Sequence, residues 1–191
     1  MARRNHVFAV GEYYHCYNRG TDKRTIFYDN QDYGYFLKSI ESYNSTEVYG
    51  KLRLHHSVVV EEQLVEVVSY CLLPNHFHIV LKERIEGGVS KYMQRIGIGY
   101  TMYFNEKNDR SGALFQGAFK SKHVETDQDL RQVISYVAYN NKIHNITDEK
   151  LFRSKLNNLA DIVRDPNSNF YIPTNMEEIV DIIRLQRLAF D

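Results

Sequence analysis

Two histidines two positions apart, His76 and His78, are the side chains of this chain best placed to do chemistry. In a β-strand, residues two apart point to the same face, so both imidazoles would stand side by side while Phe77, Ile79 and Leu81 face a core. That is half of a metal site. Two histidines on one sheet face are more often satisfied or solvated side chains than ligands, so a third partner is needed to raise them above that. The run Val65 to Leu73 before them is dense in Val, Tyr and Leu, and Pro74-Asn75 is a two-residue break. A hairpin follows, with the histidine pair opening its second strand.

Two other places hold groups that packing does not claim. Between Lys107 and Lys122, the cations Lys107, Arg110, Lys120 and Lys122 stand against Asp109 alone, interleaved with Phe115 and Phe119. Cations hold phosphates and ring faces stack on unpaired bases, so the mixture suits single-stranded nucleic acid. On charge alone a solvated strand face is the commoner explanation. Further on, Tyr136 and Asn140 lie one helical step of four apart, off the apolar stripe of their helix and on a shared flank.

The elements that must position these groups are legible from periodicity. Glu12 to Asn18 reads as a strand, followed by a basic loop, Arg19 to Arg24. Asp29-Asn30 caps a helix with Tyr33, Phe36, Leu37, Ile40 and Tyr43 at helical spacing, ending near Asn44-Ser45. Leu52 to Val60 is a candidate extra strand, with His55 and His56 solvated or locally paired. After Gly87-Gly88 a long helix carries Val89, Tyr92, Met93, Ile96, Tyr100 and Tyr103 on one stripe; Gly97 and Gly99 inside it predict a kink or a close approach. Ala113 to Val124 is extended. Thr126 and Asp129 form a capping box, and Leu130, Val133, Ile134, Val137 and Ala138 make the buried stripe behind it. In the tail, Asp165 to Asn169 is a loop and Met176 to Phe190 an amphipathic helix without evident chemistry. Strand, helix, strand, strand, helix, strand, then a further helix predicts an α+β, ferredoxin-like antiparallel sheet with helices on one face.

The totals narrow the class. The chain has 191 residues, enough for one core with an appendage, and 24 cationic side chains balance 24 anionic ones. No global field draws a polyanion, so such a partner must be held by a local patch. No apolar run is long enough to span a membrane and the first residues lack a secretion signal, which makes the cytoplasm the expected location. Cys16 and Cys71 read as reduced, buried thiols.

Taken jointly and in order, Tyr14-His-Cys-Tyr-Asn-Arg-Gly20, Tyr70-Cys-Leu-Leu-Pro-Asn-His-Phe-His78, Tyr103-Phe-Asn105, Gly112-Ala-Leu-Phe-Gln-Gly-Ala-Phe-Lys-Ser121 and the Tyr136/Asn140 pair resemble the single-tyrosine HUH transposases. Among these the chain is similar to the REP-associated tyrosine transposases, relatives of the enzymes of the smallest bacterial insertion sequences. The resemblance runs over roughly residues 7 to 144 and implies a transposase domain over 1–144, with an extension of unknown role over 145–191.

By that resemblance His76, His78 and Asn140 hold a divalent metal, Mg²⁺ or Mn²⁺, and Tyr136 is the nucleophile. Arg19, Arg110, Phe115, Lys120 and Lys122 fall in segments that lie near DNA in relatives. The implied activity is metal-dependent nicking and rejoining of single-stranded DNA through a 5′-phosphotyrosine, with a hairpin at element or repeat ends as the recognised partner. The alternative is a domesticated module that binds such DNA without cutting it. Relatives work as monomers or homodimers. Tyr139 is a rival nucleophile, but no ligand-type residue follows it by four. Where relatives often carry proline after the asparagine, this chain has Asn141-Lys142, and its segment 45–62 is longer than theirs.

Overall fold

A computed structural model describes residues 6–46, 62–138, Asn140, His144 and 153–155. The strands are β1 (Tyr13–Arg19), β2 (Val65–Leu73), β3 (His76–Glu83), β4 (Lys120–Val124) and β5 (Arg153–Lys155), and the helices α1 (Asn30–Ser42), α2 (Gly88–Lys107) and α3 (Asp127–Ala138). The strands form one sheet in the order β4-β1-β3-β2-β5, every pair antiparallel. The first four strands, with α1 and α2, are the expected ferredoxin-like arrangement. The candidate strand at Leu52 to Val60, His55, His56, Tyr139 and the tail helix lie outside the described residues.

The period of two decides what each sheet face does. On one face Tyr14, Cys16, Tyr70, Leu72, Phe77, Ile79 and Leu81 pack with Phe36, Ile40, Tyr92, Ile96 and Tyr100 from α1 and α2. On the other, Val68, Cys71, Leu73 and Val80 pack under Leu130, Val133, Ile134 and Val137 of α3. Among the described residues helices therefore cover both faces, α1 and α2 the first and α3 the second. Cys16 and Cys71 are buried thiols.

Local chemistry sets the helix ends. The Asp29 carboxylate accepts from the amides of Gln31 and Asp32, and the Thr126 hydroxyl accepts from the Asp129 amide at 3.1 Å. The cap position of α2 is Gly87, in the left-handed region at φ 71°, and has no side chain to offer. The buried Glu83 at the end of β3 replaces it, accepting from the Gly87 and Val89 amides. Asn44 does not extend α1; its amide bonds both the N–H and the carbonyl of Val65, tying that helix end to β2.

The glycines of α2 behave differently from one another. A Cβ at Gly97 would meet nothing, whereas one at Gly99 would fall 2.2 Å from the Tyr43 hydroxyl, so the close approach to α1 is at Gly99. At Gly88 the obstacle is backbone, the Leu64 carbonyl oxygen at 2.2 Å. Gly88→Ala is expected to cost about 1–3 kcal/mol, because a carbonyl held in the chain cannot swing aside as a side chain does. A lowered denaturant midpoint checks this, with Gly97→Ala as the tolerated control.

Two expectations need correction. Ala113 to Val124 is not one strand: only Lys120 onward pairs with β1 as a ladder, and the segment before it has one isolated backbone bridge, from Gly20 to Phe115. Gly117, at φ 81°, bends it away. Phe115 is 7% exposed and its ring packs on Phe77 and Tyr100, within the core. The second correction is β5, which the polar tail did not suggest and which extends the sheet beyond β2.

Candidate active site

His76 and His78 open β3 and point, with Val80, to the face that α3 covers. Their rings lie 5.2 Å apart at 88°. The Tyr136 ring, half-buried on α3, stands perpendicular to that of His78 at 5.6 Å. Asn140, one turn further, is fully buried, and its Oδ1 lies 3.4 Å from His76 Nε2. The flank shared by Tyr136 and Asn140 is thus not a solvent face; it closes over the histidine pair.

The tautomer of His76 follows from its neighbours. Asn75 donates its Nδ2 to the Lys23 carbonyl at 3.2 Å, which turns its Oδ1 toward His76 Nδ1 at 2.6 Å. An amide oxygen only accepts, so Nδ1 carries the proton and Nε2 keeps its lone pair. Nε2 therefore faces Asn140 Oδ1 acceptor to acceptor. Turning the amide over would let its NH₂ satisfy Nε2; as the side chain stands, Asn140 Nδ2 is buried without a hydrogen-bond partner among the described residues. Two converging acceptors suit a cation. Their 3.4 Å separation compares with about 3 Å between adjacent ligands of an octahedral ion with bonds of about 2.1 Å. Among the described residues no three His, Cys, Asp or Glu side chains are arranged for a metal, and the Asn140 amide oxygen is a side-chain acceptor that converges on His76 there. The donor set of two imidazoles and an amide oxygen fits Mn²⁺ or Mg²⁺.

Periodicity passed over three neighbours. His15 on β1 is 1% exposed and lies 2.8 Å, Nε2 to Nδ1, from His78. Tyr17, opposite His78 in register, stacks on it at 5.6 Å. The exposed His144 brings its ring 4.9 Å from that of His76. For the first two, the signal was the same alternation that singled out the histidine pair, present in β1 but uninterpretable until the strands are paired.

The basic residues divide. Arg19 lies opposite His76, Lys120 opposite Tyr17 and Lys122 opposite His15, all on the α3 side of the sheet. Arg110 is elsewhere: it bonds Asn105 Oδ1 and the Ala113 carbonyl and lies over the Phe104 ring, bracing the loop after α2.

Burial keeps the imidazoles neutral. It pushes His15 down to about 3, with the Lys122 charge assisting, and His76 to about 4, where the His144 charge helps and Asn140 opposes. His78 is held well below its usual value by burial, then by His15, His76 and His144. Below the ordinary value of 6.5 the unfolded chain binds protons the native one refuses, so stability falls as pH drops through 6.5 and, for His76, levels off below about 4. Each histidine contributes a slope of up to about 1.4 kcal/mol per pH unit. Denaturation series in metal-free buffer are expected to show this loss; equal midpoints at neutral pH and at the low end of the window would contradict it.

The sequence model of the family described as IS200-like transposases matches residues 13–140. That is more than half of the chain, and it reaches from the first strand to Asn140: the protein belongs to the IS200-like transposase family. A solved structure of a REP-associated tyrosine transposase bound to a REP hairpin matches with a TM-score of 0.58 at 15% identity, over 90% of this chain and 89% of that one. At that identity the likeness is one of fold. No curated protein sequence matches.

Proposed function

We propose that this transposase nicks and rejoins single-stranded DNA through a covalent link to Tyr136, and that it recognises a hairpin. The observation that carries this reading is the placement of the Tyr136 ring against His78, on the one sheet face where His76 and Asn140 converge two acceptors.

A tyrosine hydroxyl ionises near pH 10 and needs help to attack at neutral pH. His76, His78 and Asn140 would hold a divalent metal, which when bound polarises the scissile phosphate and balances the charge that grows on it. Arg19, Lys120 and Lys122 hold the strand across the sheet face by its phosphates. The Tyr136 oxygen attacks phosphorus in line and the bond to the 3′ oxygen breaks. That oxygen takes up a proton and leaves as a 3′-hydroxyl, the phenol having lost its own. The product is a 5′-phosphotyrosine. Attack by a 3′-hydroxyl on the linkage restores Tyr136 and joins strands, with no nucleotide cofactor because the phosphodiester bond is exchanged and not hydrolysed.

Support for a site assembled within one chain comes from Tyr136 meeting the histidines of its own sheet. The test is incubation of the full chain with labelled single-stranded hairpin oligonucleotides and Mn²⁺ or Mg²⁺, followed by a denaturing gel. A protein–DNA adduct that survives denaturation and disappears with EDTA is expected. Binding across a broad hairpin panel with no adduct would establish a non-cleaving module instead.

A further inference from the structure

His15 is 63 residues from His78 in sequence and in contact with it in the fold. Its side chain is 1% exposed, its Nε2 lies 2.8 Å from His78 Nδ1, and the two ring centroids are 5.0 Å apart. Two ring nitrogens 2.8 Å apart are at hydrogen-bond distance, so one proton lies between them, and the pair has two arrangements. If His15 donates, His78 must carry its own proton on Nε2 and has no lone pair left for a metal. If His78 donates from Nδ1, its Nε2 lone pair is free.

We propose that His15 is a positioning residue that accepts the Nδ1 proton of His78 and so presents the His78 Nε2 lone pair to the metal. This rests on the reading of His78 as a ligand. The second observation is that the neighbouring histidine is handled the same way: Asn75 Oδ1 accepts from His76 Nδ1, leaving its Nε2 toward Asn140. Each imidazole thus has its own acceptor behind it, one from the hairpin turn and one from β1. Such partners set ring orientation and raise ligand basicity, and their loss typically costs about 10- to 100-fold in metal affinity.

The test measures Mn²⁺ affinity of the full chain, without DNA, from the resonance signal of unbound Mn²⁺. His15→Leu removes the acceptor and is expected to weaken binding about 10- to 100-fold. His15→Gln puts an amide oxygen near the same place and is expected to recover most of that loss, which a merely structural role would not predict. If His78→Ala abolishes binding while His15→Leu binds like the wild type, the positioning role is overturned and the ligand reading stands. If His78→Ala binds like the wild type, the ligand reading fails and this role falls with it. Should His15→Leu not fold, nitrogen-15 spectra of the histidine-labelled wild type saturated with Mg²⁺ decide. A proton on His78 Nδ1 with its coupling to His15 Nε2 is expected, and a proton on His15 Nε2 overturns the proposal.

Discussion

Tyr136→Phe is expected to eliminate the covalent DNA adduct while hairpin binding persists. The substitution deletes one oxygen and keeps the ring that sits edge-on to His78 and His15, so the packing of α3 on the sheet is retained. The stability change should stay within about 1 kcal/mol, the net contribution of one hydrogen bond. Removal of a nucleophile from a covalent mechanism costs at least about 10³-fold, which puts the variant below detection on a denaturing gel. A persisting adduct would move the nucleophile elsewhere. Tyr17, stacked on His78, is another tyrosine on this face, and Tyr139 lies beside Tyr136 in sequence.

The second large effect is expected from His76→Ala. Its imidazole has little to do with the core, being held from behind by Asn75 and turned toward Asn140. Loss of metal-borne stabilisation is a matter of several kcal/mol, and at about 1.4 kcal/mol per tenfold the adduct-forming rate should drop by roughly 10²- to 10³-fold. Hairpin affinity and its salt dependence should stay as in the wild type, since Arg19, Lys120 and Lys122 remain to neutralise phosphates. Filter binding at two salt concentrations alongside the gel separates the outcomes. A collapse of binding as large as the collapse of cleavage would make His76 a DNA anchor and remove the metal from the proposed chemistry.

The same structure gives several motif residues a place in the packing. Tyr103 donates to the buried carboxylate of Asp32, which Lys107 also meets at 2.6 Å, and Phe104 fills the core between the helices. Asn105 donates to the Gly112 carbonyl and receives Arg110. That segment pins the start of α1 and the loop after α2, and so steadies the strand that follows.

What the sequence determined by itself was whatever depends on a few adjacent residues. The alternation at His76, Phe77 and His78, the Asp29 cap, the Thr126 capping box, the buried stripe of α3 and the spacing of Tyr136 from Asn140 are all local, because strand and helix periods and cap hydrogen bonds close within about one turn. Tertiary structure decided what meets what. The register of β1 on β3 brings Arg19 opposite His76 and Tyr17 opposite His78, and no interval along the chain encodes a pairing between strands 60 residues apart. His15 becomes a neighbour of His78 for the same reason. Phe115 read as an available ring until the bend at Gly117 and the bridge to Gly20 placed it in the core. The Tyr136 flank, polar and unclaimed in sequence, meets the histidine pair only because α3 lies across the second face of the sheet, driven there by the burial of Leu130, Val133, Ile134 and Val137.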